Sequence, residues 1–173
     1  MEQSKPRLNG QTSAQPSTLG RDDLVSIRVA AAADFAELHL CQQLAFDMPV
    51  LDQHAIEARR NSALAARLQE GGIRVADASA AILGYVSFYP GTDHLFVDAI
   101  AVLPQHQGAG LGSMLLQNAE NAARREGLRS VRLFTDGTIA ENMRFYSRRG
   151  YRETGRCEDG DFSRVYFSKP LAA

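Results

Sequence analysis

Residues 98–127 read DAIAVLPQHQGAGLGSMLLQNAENAARREG, an apolar strand that passes through a glycine loop straight into a helix. Gln107, Gly108, Gly110 and Gly112 keep the turn small enough for a phosphate to lie against successive backbone N–H groups. A helix beginning near Gly108 adds the positive end of its dipole. Several unpaired N–H donors converging on one point hold a diphosphate without any lysine. Two other phosphate loops do not fit. A dinucleotide fingerprint requires a third glycine where Ser113 stands, and a P-loop requires Gly-Lys-Ser/Thr where Gly112 is followed by Ser113 and Met114. A plain connecting turn would not require three alternating glycines. The diphosphate-bearing ligand expected here is coenzyme A.

Upstream of this unit, Ile73–Ala76, Ile82–Tyr89 and Leu95–Val102 are β-branched or aromatic runs parted by Ala-Ser-Ala and Pro-Gly-Thr-Asp turns, the pattern of an antiparallel meander. Ile27–Ala30 reads as a first strand. Asp34 with Glu37 resembles a capping box for a helix whose apolar face is Phe35, Leu38 and Leu44. Phe46-Asp47-Met48-Pro49 breaks that helix. Asp52 caps a second one carrying Ile56, Leu64 and Leu68, which stops at Gly71-Gly72. Downstream, Leu111, Met114, Leu115, Ala119 and Ala122 keep helical spacing to a stop at Gly127. Val131–Thr135 then returns as a strand, expected to be parallel to the one before the loop with a right-handed crossover. A last helix from about Ala140 to Arg149 ends at Gly150, and a strand from Tyr151 pairs with Phe162–Ser168 across Glu158-Asp159-Gly160. The expected fold class is mixed α/β, a mostly antiparallel central sheet flanked by helices.

The chain has 173 residues, 45% hydrophobic and 23% charged, enough for one globular domain with a full core. Residues 1 to about 24, rich in Gln, Ser, Thr, Pro and Gly, read as a disordered tail, leaving residues 25–173 as the domain. A net charge of −1 and a pI near 6.4 give no broad basic field, which argues against nucleic acid as the partner. No apolar run reaches the ~20 residues needed to cross a bilayer. Cys41 and Cys157 are far apart with no CxxC, and no secretory h-region precedes them, so a reducing cytoplasmic setting and no membrane partner are expected.

The strand IAVLP followed by Q-x-x-G-x-G at Gln107–Gly112 resembles the acetyl-CoA signature of the GNAT superfamily of N-acetyltransferases. Glu141-Asn142-Met143-Arg144-Phe145-Tyr146 followed by Arg149-Gly150-Tyr151 resembles that family's second motif, and Arg164-Val165-Tyr166 its closing strand. The resemblance implies the acyl-CoA N-acyltransferase fold and an acetyl transfer from acetyl-CoA to a primary amine, on a small molecule or a peptide. It implies that the strand ending at Val102 splays from its neighbour and that backbone groups of Ile100, Ala101 and Val102 pair with the pantetheine arm. The segment Gln107, Gly108, Ala109, Gly110, Leu111, Gly112 and Ser113 would take the pyrophosphate. Tyr146 would protonate the departing thiolate, and Asn142 would orient the cofactor. A common form of the motif has its asparagine seven residues before the tyrosine, where this chain has Ile139. A two-fold homodimer through the last strands is a further implication.

An amine arrives as ammonium and must lose a proton before attack, so a carboxylate near the thioester is needed. Asp98 is the candidate, two residues before Ile100 and four before Val102 and therefore expected on their face of the strand; Asp93 and His94 come second. Cys41 reads as a small buried hydrophobe and Cys157 lies on a hairpin, and a direct attack in a ternary complex needs neither. His39, His54, His94 and His106 share no ligand spacing, so no metal is expected. Among Arg124, Arg125, Arg148 and Arg149, the last two are candidates for the cofactor's 3′-phosphate. The acceptor pocket in similar proteins is built from the loops at Phe46–Asp52 and Arg156–Asp161, whose Asp47, Asp52, Glu158, Asp159 and Asp161 favour a cation. The alternative to an enzyme is a module that keeps the cradle and senses acyl-CoA without turnover.

Overall fold

The computed structural model describes residues 24–46, 53–159 and 162–172, with the backbone alone at 53–57, 159 and 162. The N-terminal tail and the cap at Asp52 lie outside these residues. So do the side chain of Ile56, residues 47–52 of the first acidic loop, and residues 160–161 with the side chain of Asp159 of the second. Among the described residues, seven strands and four α-helices follow one another as β1 (Ser26–Val29), α1 (Phe35–Ala45), α2 (Gln53–Gln69), β2 (Ile73–Ala78), β3 (Ala81–Pro90), β4 (His94–Val102), α3 (Leu111–Arg125), β5 (Ser130–Asp136), α4 (Ala140–Ser147), β6 (Arg152–Asp159) and β7 (Phe162–Pro170). They form one sheet in the order β1-β2-β3-β4-β5-β7-β6, antiparallel throughout except for the parallel pair β4–β5. The mixed, mostly antiparallel α/β class read from the sequence is the observed one.

Helices cover both faces. On one, Leu115, Leu116, Ala119, Ala122 and Ala123 of α3 pack on Val86, Phe88, Leu95, Val97, Val131, Leu133, Val165 and Phe167, with α4 leaning on the same cluster. On the other, Leu38 and Cys41 of α1 and Leu64 of α2 pack on Ile73, Val75, Tyr85 and Ala101. Two expected helix faces shift. In α1 the buried stripe is Leu38, Cys41 and Gln42, whereas Phe35 and Leu44 are 38% and 45% exposed. In α3 the stripe centres on Leu115 and Ala119, which brings Leu116 in and swings Met114 out.

The expected capping box at Asp34 is also corrected. Its carboxylate turns back to accept from Arg28 at 2.7 and 3.1 Å and from the Ala31 N–H at 2.7 Å, capping a short 3-10 turn rather than α1. Arg28, which also donates to Asp77 at 2.8 Å, holds the Asp34 carboxyl below its ordinary range. Glu37 reaches the Ile82 N–H instead of a cap. The last helix ends at Ser147, two residues earlier than expected, and β6 starts at Arg152.

One buried polar cluster fastens α3 to the C-terminal strands. Lys169 of β7 donates to both oxygens of Glu120 at 2.9 and 2.8 Å, and the Tyr151 hydroxyl donates to the same carboxylate at 3.2 Å. Glu120 is 6% exposed. Glu120→Ala strands Lys169 and the tyrosine hydroxyl together, and the expected loss is about 3 kcal/mol of unfolding free energy, read from urea denaturation.

Candidate active site

The site is built where β4 leaves β5. Their parallel register runs from His94–Ser130 to Val97–Leu133 and stops there, although both strands continue. Beyond that point β4 remains paired with β3 alone and β5 with β7 alone, so the edge of β4 from Asp98 to Val102 faces a gap inside the sheet. This is the splay that the sequence reading expected.

The parting coincides with a β-bulge. Val86 pairs with Ile100 and Ser87 with Ala99, but Phe88 pairs with Val97, so Asp98 is an extra residue with no partner on β3. An extra residue reverses the alternation of everything after it. Leu95 and Val97 before the bulge, and Ile100 and Val102 after it, all join the α3 side, whereas Ala99 and Ala101 join the α1–α2 side. The expectation that Asp98 shares a face with Ile100 and Val102 is therefore corrected, because simple counting by twos fails across a bulge. Its electrostatic neighbours are Tyr85, Tyr89 and Arg67, residues of β3 and α2. Asp98 points toward the layer from which the Phe46–Asp52 loop departs.

Around Asp98 the polar groups are ordered. The Tyr85 hydroxyl donates to Gln42 Oε1 at 3.2 Å, and Gln42 Nε2 donates to Asn61 Oδ1 at 3.1 Å. Arg67 stacks over the Tyr89 ring, 4.1 Å from its centroid, and bonds Glu70. Burial pushes the Asp98 carboxyl above its ordinary range, against a smaller opposite pull from Arg67. Tyr85 and Tyr89 were missed in the sequence; their i, i+4 spacing on β3 was the available signal, since an even spacing puts both rings on one face of a strand. An aromatic row continues from Tyr89 through Phe96 and Phe134 to Tyr166 at centroid spacings of 5.3, 6.2 and 6.1 Å. The second-choice base pair, His94 with Asp93 at 2.9 Å, sits at the opposite end of β4, where the strands are still paired. Arg132 lies 3.5 Å from Asp93.

At the other end of the gap, β4 leads through a 3-10 turn at Pro104–His106 into the glycine loop. The helix begins at Leu111, not near Gly108, because Gly108 and Gly110 take φ of +78° and +88° and hold the chain outside helical space. Only glycine adopts these angles without strain. Among the described residues the N–H groups of Gly108, Ala109, Gly110, Leu111 and Gly112 make no hydrogen bond to backbone or side chain. Five successive exposed or helix-starting donors suit a diphosphate, and the residues present fit that group. Two expected members stand apart. The Ser113 N–H is already spent on the Gly110 carbonyl at 3.0 Å. Gln107 contributes its side chain, which donates to the Val102 carbonyl at 3.0 Å and ties the loop to the strand end.

A Cβ on Gly112 would meet only ordinary van der Waals contacts, the nearest being the Phe145 ring at 3.5 Å. Gly112→Ala is therefore expected to leave the thermal midpoint unchanged. Coenzyme A binding by calorimetry is expected to weaken about tenfold, the worth of one charge-assisted hydrogen bond held off by a methyl group.

From α4, Tyr146 packs its ring against Phe145, Tyr151 and Phe167 at 5.1, 5.9 and 5.8 Å. Its hydroxyl takes no hydrogen bond among the described residues, and burial pushes its pKa up to about 12. Asn142 is half-buried in the first turn of α4, its N–H bonded to the Ile139 carbonyl at 3.1 Å. Arg149 does not stand off as a solvated helix end: it donates to Ser113 Oγ and to the Phe145 carbonyl. Cys41 is buried, its thiol pushed up to about 12 by desolvation, and Cys157 is exposed. Among the described residues no group of three His, Cys, Asp or Glu side chains comes together as a metal site, and no helix is long and apolar enough to cross a membrane.

A seven-stranded sheet parted between its two parallel strands, with an unpaired amide cradle at the head of the helix joining them, is the architecture of an acyl-CoA transferase. Residues 34–151 match the profile of the Acetyltransferase (GNAT) family, and the chain belongs to that family. No curated protein matches the chain. Among solved structures, a GNAT-family protein from Desulfovibrio desulfuricans superimposes with a TM-score of 0.74 at 20% identity, covering 86% of this chain and 100% of that one. The ribosomal-protein-S18-alanine N-acetyltransferase of Escherichia coli gives 0.70 at 18% identity, covering 87% and 96%. YncA of Salmonella typhimurium, solved with its cofactor acetyl-CoA, gives 0.68 at 22% identity, covering 87% and 95%.

Proposed function

We propose that this acetyltransferase moves the acetyl group of acetyl-CoA to a primary amine by direct attack within a ternary complex. The observation that carries the reading is the joint placement of the five free amides at Gly108–Gly112 and the parted edge of β4. The amides and the helix end take the diphosphate, and backbone groups of Ile100, Ala101 and Val102 hold the pantetheine arm as a short strand. Asp98 accepts a proton from the ammonium form of the acceptor. The freed lone pair attacks the thioester carbon while a β4 N–H beyond the bulge polarises the carbonyl oxygen. The carbon–sulfur bond breaks as Tyr146 gives its proton to the sulfur; the amine nitrogen sheds its second proton to solvent as the amide forms, Asp98 releases the proton it took, and the tyrosine regains one from solvent. Asn142 orients the cofactor from the first turn of α4.

Calorimetry with acetyl-CoA, followed in the same sample by thiol release across a panel of amines and N-terminal peptides, tests this. The expected result is micromolar binding with thiol release for one amine class. Binding without release across the whole panel favours a sensor of acyl-CoA, and absence of binding removes the cradle reading altogether.

A further inference from the structure

Arg149 connects the two halves of the site. Its backbone N–H bonds the Tyr146 carbonyl at 2.9 Å, and its guanidinium lies 3.7 Å from the centroid of Phe145, in the same turn. From there the side chain crosses to the first turn of α3. Nε donates to Ser113 Oγ at 3.1 Å, a second guanidinium nitrogen bonds the same oxygen, and the third nitrogen donates to the Phe145 carbonyl at 2.8 Å. A serine oxygen that accepts two N–H bonds from one guanidinium must direct its own proton away from that cation. No protein acceptor for that proton is present among the described residues. Two further N–H bonds of the guanidinium are likewise without a partner among these contacts, since the fork carries five donors in all.

We infer that the Arg149 guanidinium, held against the Ser113 hydroxyl, is the charged side-chain part of the diphosphate subsite. The inference rests on the coenzyme A reading above. It differs from the sequence reading, which gave Arg148 or Arg149 to the 3′-phosphate. Ser113 follows directly on the five free amides, so a guanidinium anchored on its oxygen stands at the diphosphate end of the cofactor. A fork geometry matched to phosphate oxygens explains why an arginine is suited to this place better than a lysine.

The test is calorimetry of native chain, Arg149→Gln and Ser113→Ala with two probes, coenzyme A and dephospho-coenzyme A, which keeps the diphosphate and lacks the 3′-phosphate. Arg149→Gln is expected to weaken both probes by the same factor, about tenfold or more, as loss of a charge-assisted hydrogen bond does. Its salt dependence of binding is expected to be shallower than that of the native chain. Ser113→Ala is expected to weaken both by a smaller common factor, and it serves alone if circular dichroism finds the arginine variant unfolded, since Arg149 keeps its stack on Phe145. A loss confined to coenzyme A would move the residue to the 3′-phosphate, and undiminished binding of both probes would reduce it to a helix clamp; either overturns the inference. Failure of the native chain to bind either probe would instead sink the cofactor reading itself.

Discussion

Asp98→Asn is expected to lower kcat/KM for the amine about a hundredfold to ten-thousandfold, the range lost when a positioned general base is removed. With Asp98 as the base, the native enzyme is expected to gain activity with rising pH as its carboxylate forms. Because burial raises this carboxyl, the midpoint of that limb lies above 3.8, the ordinary value for the group. The asparagine variant loses the limb as well as the rate. Stability moves the opposite way. A carboxyl whose pKa is higher in the folded than in the unfolded chain binds its proton more tightly when folded. Native stability therefore falls as pH climbs from the unfolded value through the folded one, and the deficit is complete above both. Asparagine carries no such deficit, so the variant is expected to melt higher than the native chain near neutrality, with the two converging in acid. Unchanged kcat/KM, or a surviving acid limb in the variant, would take the proton transfer away from Asp98.

Tyr146→Phe is expected to reduce kcat about a hundredfold while leaving coenzyme A affinity nearly intact, since the lost group acts only as the carbon–sulfur bond breaks. With a pKa pushed up to about 12, the phenol is protonated through the working range, and no alkaline limb in the native profile arises from it. Its hydroxyl has no hydrogen-bond partner among the described residues, so removing it strands nothing, and the thermal midpoint is expected to hold. A variant that turns over at the native rate would place the acid elsewhere. A variant that loses rate and coenzyme A binding together would make Tyr146 a packing residue of the cofactor arm.

The sequence was most readable where backbone conformation is dictated by residue type. Gly108 and Gly110 announce positive φ, and the runs of β-branched and aromatic residues give the meander and its order correctly. The splay was reached through family resemblance rather than residue chemistry, because no side chain marks where two strands cease to pair. Asp98 exposes the limit of alternation: a bulge adds one residue without a distinct composition, and every inward or outward assignment after it reverses. The faces of α1 and α3 slipped for a related reason, since apolar residues occur on both sides of each helix and only the sheet decides which of them are covered. Asp34 has the sequence of a cap, yet Arg28, six residues earlier on β1, competes successfully for its carboxylate. The pairing of Ser113 with Arg149 joins the first turn of α3 to the turn after α4 and has no local signature.

The gap between β4 and β5 also divides the molecule mechanically. One leaf, β1 to β4, is stitched by antiparallel ladders between successive strands; the other, β5 to β7, is stitched by its own antiparallel ladders. A seam of four residue pairs joins them, against seven in each of the ladders on either side. That line is the most sparsely paired junction between these neighbouring ladders, and α3 lies across it, packed on residues of both leaves. On the proposed reading, a substrate arm laid into the opening would add rungs where the protein has none, so that the acyl donor would complete the sheet it reacts in.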